Sequence, residues 1–271
     1  MSVTSVMVYV DFDRGCENRI CAAADLASRF NALLIGVGAL PLLPIAKMGF
    51  RSAEKDQQHE ISERLEHLGE EFRRAAEKTT RKVEWRSSPH FPREVLIAQA
   101  CAADILVIGK EFILGDIYRT YDPGTVILEA GRPVLVLPDD IKLVDYSRVL
   151  IGWKDTREAR RAVRDALPIL KSAQNVAIAV ANRQLLTPTG IDEQVADLTR
   201  YLASHKIVVD EQIETVAGEA DGRILLEVAH DFKAGLIVAG AYGRTRFSEW
   251  IFGGVTRHLL KKSTIPCLFS H

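Results

Sequence analysis

The residues of this 271-residue chain whose types and spacing could do chemistry lie in one run. It reads Gly240-Ala241-Tyr242-Gly243-Arg244 and continues to Gly253-Gly254-Val255-Thr256. The glycines follow G-x2-G-x9-G, between an apolar stretch that reads as a strand and a helical pattern. Such a segment suits a phosphate chain. Gly240 lets a ligand approach the strand end with no Cβ in the way, and Gly243 can take a positive φ. Gly253 and Gly254 fall at the start of the last helix, where unpaired N–H groups and the dipole favour anions. Arg244 and Arg246 read as phosphate neighbours or as plain loop charge.

Other chemistries find less support. The seven histidines form no H-x3-H or H-E-x-x-H pattern, so no metal site is expected. No G-x-S-x-G elbow and no P-loop appear. Arg157, Arg160, Arg161 and Arg164 recur at helical spacing, either as an anion patch or as a solvated face with Glu158 and Asp165 as partners. Lys plus Arg is 35 and Asp plus Glu is 36, a balance that gives no reason to expect nucleic acid or an anionic membrane. The four cysteines form no C-x-x-C and read as reduced thiols. The opening residues lack a basic segment and meet Asp11 early, unlike a signal peptide. The longest uncharged run, Phe30 to Ala46, is broken by Gly36, Gly38, Pro41 and Pro44 and is no spanning helix. A cytoplasmic location is expected.

The elements that position the glycine run come in two copies of one plan. Pro133 to Leu137 resembles Pro266 to Phe269, Ile105 to Gly109 resembles Leu236 to Gly240, and Val6 to Val10 resembles Val149 to Trp153. Strands are predicted at 4–10, 32–38, 82–86, 104–109 and 133–137, then at 148–153, 175–181, 207–213, 235–240 and 266–270. Near-continuous apolar strands separated by helical patterns argue for parallel sheets covered on both faces. The helix predicted at 54–79 shows its period plainly, with Ile61, Leu65, Leu68, Phe72 and Ala75 on one stripe. The fold class expected is α/β: two doubly wound five-stranded parallel-sheet domains in tandem, 1–142 and 143–271. Such sheets bind ligands at the carboxyl ends of their strands, where the strand order reverses.

On these residues the chain resembles a tandem universal stress protein, with the nucleotide α-hydrolase-like fold, over essentially its whole length. Nucleotide-binding members carry G-x2-G-x9-G-[S/T] after the fourth strand; Gly240, Gly243 and Gly253 match, while Gly254 stands where Ser or Thr is expected. Trp153, Thr156 to Ala159 and Asp165 to Pro168 also resemble the second domain of bacterial tandem members. The resemblance implies ATP or a related adenine nucleotide, with or without Mg²⁺. Backbone amides of Gly243 and of Gly253 to Thr256 would hold its phosphates, and Val180 would lie near adenine. The hydroxyl missing at Gly254 is worth about 1.5–3 kcal/mol, so weakened binding is expected, with Thr256 as a substitute donor. Members usually place an acidic residue just after strand 1; here Trp153-Lys154-Asp155 stands there. Lys154 can reach a phosphate instead, or Asp155 can do the acidic work if the backbone shifts.

The first half has the opposite defects. Asp11 and Asp13 give it the acidic strand end, but no glycine stands three residues after Gly109, and Gly124-Thr125-Val126 is displaced relative to the other half. Its residues 1–146 hold 18 basic and 22 acidic side chains, or −4; residues 147–271 hold 17 and 14, or +3. The half with the glycine loop is the one more hospitable to an anion. Pro133 and Pro266 suit an edge strand or a strand start, and the resemblance implies domain pairing about a pseudo-twofold axis with a homodimer on top. The functional expectation is a nucleotide-dependent sensor or binding module of the stress response. The alternatives are a nucleotide-free scaffold and a weak ATP hydrolase, for which no catalytic base is seen.

Overall fold

The computed structural model describes residues 2–42, 51–110, 121–182, 188–216, 222–243 and 254–271. By its contacts the chain forms two compact units. The first comprises Val3–Arg132 and Asp139–Leu143, the second Ser2, Pro133–Pro138 and Val144–His271.

In the first unit the elements are β1 (Ser5–Val10), α1 (Cys16–Arg29), β2 (Leu33–Ala39), α2 (Arg51–Ala76), β3 (Val83–Ser88), α3 (Pro92–Gln99), β4 (Ile105–Gly109) and α4 (Pro123–Glu129). The strand order is β3-β2-β1-β4, and every pairing given is parallel. β1, β2 and β4 are apolar and almost completely buried, as strands covered on both faces must be. The helix stripe read from the sequence is the one that packs: Ile61, Leu65, Leu68, Phe72 and Ala75 are all buried. Phe72 stacks obliquely on Trp85 of β3, ring centroids 5.6 Å apart.

The start of β1 is tied down by Asp104, which accepts from the Thr4 N–H at 2.7 Å, the Thr4 hydroxyl at 2.8 Å and the Ser5 N–H at 3.0 Å. Partial burial pushes the Asp104 carboxyl up, but the donors of Thr4 and Ser5 outweigh it and hold it below the usual aspartate range. A depressed carboxyl contributes stability above its unfolded pKa and loses it as pH falls through its folded value. Asp104→Asn should therefore melt below the wild type at pH 7, with the gap closing in acid. A gap that persists unchanged to pH 2 would refute this.

The second unit contains β6 (Arg148–Trp153), α5 (Arg157–Leu170), β7 (Asn175–Asn182), α6 (Pro188–Ser204), β8 (Glu211–Val216), α7 (Gly222–Asp231), β9 (Leu236–Gly240), α8 (Gly254–Lys262) and β10 (Cys267–Ser270). It also takes in β5 (Val134–Leu137), and its strand order is β5-β10-β9-β6-β7-β8. All pairings given are parallel except β5 with β10, where Leu135 lies opposite Leu268. Both prolines stand just before their strands, the strand-start position. β10 is paired on both sides, by β9 and β5, so it is not the edge strand that its proline allowed. Its apolar pairing is made within the chain. The strand predicted at 207–213 forms four residues later, at 211–216, where it pairs with β7. Among the described residues, no helix is long and apolar enough to cross a membrane.

Candidate functional site

In each unit the chain leaves its first strand in one direction and returns on that strand's other side, so the strand order reverses between β1 and β4 and between β6 and β9. The carboxyl ends of β6 and β9 are where the glycine run begins. β6 and β7 run in a register that sets Trp153 beside Val180, and Gly152 lies beside Ala239 one strand over. Gly240 is paired with Ser270 of β10, and the Ala241 N–H donates to the Ser270 carbonyl at 2.9 Å. The fold thus gathers Trp153, Val180, Gly240, Ala241 and Gly243 at one end of the second sheet.

Two details of the loop depart from the sequence reading. The space a Cβ would take at Gly240 holds backbone of the first turn of α5, with Glu158 C at 2.6 Å and Ala159 Cα at 2.8 Å from that position. Its missing side chain admits a helix, not a ligand. The positive φ expected of Gly243 belongs to Tyr242, at 55°. Gly243 itself is exposed and lies over α5, where an added Cβ would stand 3.3 Å from Glu158 Oε2 and 3.5 Å from Thr156 Oγ1.

The first turn of α5 therefore floors the loop. Thr156 caps it, its hydroxyl accepting from the Ala159 N–H at 3.3 Å. Glu158, read from the sequence as a solvated partner for arginines, is completely buried. Its Oε1 accepts from Arg157 Nε at 2.5 Å, and its Oε2 has no hydrogen-bond partner among the described residues. Burial pushes this carboxyl up, but the hydrogen bonds of Arg157, its own N–H and Thr156, with the Arg157 charge, hold it below the usual glutamate range. It is ionised at neutral pH. Asp155, the other acidic candidate, is held by Arg160 at 2.6 Å and 2.8 Å, while Lys154 is exposed beside it. The Trp153 indole N–H is buried without a partner among the described residues. The arginines at 157, 160, 161 and 164 are exposed, as a solvated face requires.

α8 begins at Gly254, leaving its first-turn amides without helical partners. Gly254 is exposed, Val255 half-buried and Thr256 buried. Arg244, Arg246 and Gly253 lie outside the described residues. Among the described residues, no group of three His, Cys, Asp or Glu side chains could hold a metal.

The corresponding end of the first unit is differently furnished. Asp11, its acidic strand end, is paired with buried Arg19 at 2.6 Å. The amides of Gly124 and Thr125 at the start of α4 are taken by the Asp122 carboxylate at 3.3 Å and 2.9 Å. Neither Arg19 nor Glu158 stood out in the sequence, since charged residues in a helix's first turns are ordinarily solvated.

The universal stress protein family matches residues 145–271. A universal stress protein from Archaeoglobus fulgidus DSM 4304 shares the fold with a TM-score of 0.72, covering 98% of this chain and 95% of its own at 14% identity. A putative universal stress protein from Pseudomonas aeruginosa UCBPP-PA14 has a TM-score of 0.61, covering 99% and 93% at 14% identity. A functionally unknown protein from Pseudomonas aeruginosa PAO1 reaches 0.60 over 99% and 92%, also at 14% identity. The sequence matches no curated protein. The chain thus matches the universal stress protein family over residues 145–271 and shares its fold with a universal stress protein over 98% of its length.

Proposed function

We propose that the second unit binds ATP or a related adenine nucleotide at the carboxyl ends of β6, β7 and β9, and that the chain acts as a nucleotide-dependent module of the stress response. The observation that supports this best is the exit of Gly240 to Gly243 from β9 at the point where strand order reverses. Val180 and Trp153 offer an apolar wall for the base, and the amides of Gly254 to Thr256 at the start of α8 offer donors to phosphate. The buried, ionised Glu158 beside Gly243 repels a bare phosphate. Mg²⁺ carried by the nucleotide fits there, since this ion takes one or two carboxylates together with phosphate oxygens. Glu158 Oε2 is the oxygen that would hold it. The same carboxylate favours the rival reading, a nucleotide-free scaffold in which α5 and the loop form a closed packing unit. Self-association, implied by the family resemblance, would have to use surfaces other than β10; light scattering reads it directly.

Calorimetric titration of ATP into the full chain, with and without Mg²⁺, separates the readings. Saturable micromolar binding, tighter with Mg²⁺, is expected. Gly253→Asp should weaken it by about a hundredfold, by setting a carboxylate against the phosphates. No binding to either protein selects the scaffold.

A further inference from the structure

The first unit has the same kind of crevice, between the carboxyl ends of β1 and β4, and a side chain of its own lies in it. Arg19, the fourth residue of α1, is 3% exposed. Its Nε donates to the Tyr9 carbonyl at 2.9 Å, and its Nη2 is 2.6 Å from Asp11 Oδ2, so it grips the end of β1 twice. Its Nη1 lies against Gly109, the last residue of β4, where a Cβ would collide with it. Tyr121 meets the same glycine. Its hydroxyl accepts from the Gly109 N–H at 3.0 Å and donates to the Gly109 carbonyl at 3.3 Å. Its ring meets Tyr9 edge to face, centroids 5.0 Å apart. The fourth residue of α5 is also an arginine, Arg160, but it is exposed and pairs with Asp155 at the surface.

We propose that Arg19 is the first unit's built-in ligand: its guanidinium fills the switch-point crevice, neutralises Asp11 and bars small molecules from the ends of β1 and β4. Two features separate this from an ordinary structural ion pair. The guanidinium bridges the two strands between which strand order reverses, and it fits against a glycine that leaves room for it. Burial alone would push the guanidinium towards neutrality, but Asp11, Tyr121 and Cys16 outweigh it and keep it charged. The neighbouring groups answer to the same enclosure, with burial pushing the Tyr121 hydroxyl up and the Cys16 thiol up to about 12. The crevice, once emptied, would have the shape and charge for a planar cation of the guanidinium class.

The test is chemical replacement in the full chain. Arg19→Ala should lower the melting temperature by about 10 °C. Methylguanidinium chloride at about 10 mM should recover a saturable share of that loss. Sodium chloride and methylammonium chloride at equal concentration should not, and the wild type should be unmoved by all three. A folded Arg19→Ala chain that shows no recovery specific to methylguanidinium overturns the proposal. Should that variant fail to fold, proton exchange at arginine side chains of the wild type decides. One Nε–H should exchange slower than exposed arginines by on the order of a hundredfold; uniformly fast exchange defeats the idea. Nucleotide titration adds an independent arm. Two equivalents bound per wild-type chain contradict a filled first crevice, whereas no binding at all removes the proposed second-unit site and leaves the Arg19 experiments standing.

Discussion

Asp11→Ala should destabilise the first unit by about 3–5 kcal/mol, because it strands a buried guanidinium without its counter-charge. Arg19 is 3% exposed and Asp11 12%, so water cannot replace the lost carboxylate without opening the end of β1. The hydrogen bond that remains among the described residues, Nε to the Tyr9 carbonyl, solvates one N–H and leaves the charge uncompensated. The comparison is Asp155→Ala, which breaks a pair of similar length, 2.6 Å, with partners 63% and 30% exposed. That variant should stay within about 1 kcal/mol of wild type. Denaturant unfolding of both variants reads the contrast. Equal midpoints would mean that the Arg19 ion pair is no stronger than a surface pair.

Gly240→Ala should damage the second unit by overpacking rather than by touching a ligand. The added methyl would meet backbone atoms of Glu158 and Ala159, at 2.6 Å and 2.8 Å, and collide with the Ala159 amide. A flexible side chain could swing aside; the first turn of a helix packed on β9 cannot. Forced insertion of one methyl into a packed site costs about 1–3 kcal/mol, and contact with backbone places this case at the upper end. A fall of about 5–10 °C in melting temperature follows for a unit of this size. Gly243→Ala is the matched control, since among the described residues its Cβ finds nothing nearer than 3.3 Å, and it should leave the melt almost unchanged. If the two variants melt alike, the packing account of Gly240 is wrong. The pair also bears on ligand studies, because nucleotide affinity lost in Gly240→Ala would report a displaced α5.

Much of the frame was legible because it rests on local periodicity. The stripe from Ile61 to Ala75 declares a helix and its buried face together, and the structure buries each of its members. The apolar runs at 105–109 and 236–240 declare strands covered on both faces, since little else tolerates four or five consecutive buried residues. β8 was misplaced because Ile207, Val208 and Val209 read as the opening of a strand, although Val208 is 76% exposed and pairing starts only at Glu211. The pairing of β5 with β10 was open as well, since an apolar strand does not name its neighbour.

The candidate site divides along the same line. Spacing alone places Gly240 and Gly243 after a strand that ends at a switch point, and register then brings Trp153 and Val180 alongside. Which way a glycine's missing side chain faces is not a local property. Gly240 opens towards α5 because that helix returns across β9, and nothing within several residues of Gly240 encodes it. The fates of Arg19 and Glu158 were equally hidden, because a charged residue near a helix start reads the same whether it meets water or a crevice. The amino-acid order determined where helices and strands lie and which strand ends could hold an anion. Only the packed chain decided which crevice is filled from within, because burial of a charge depends on partners brought from distant segments.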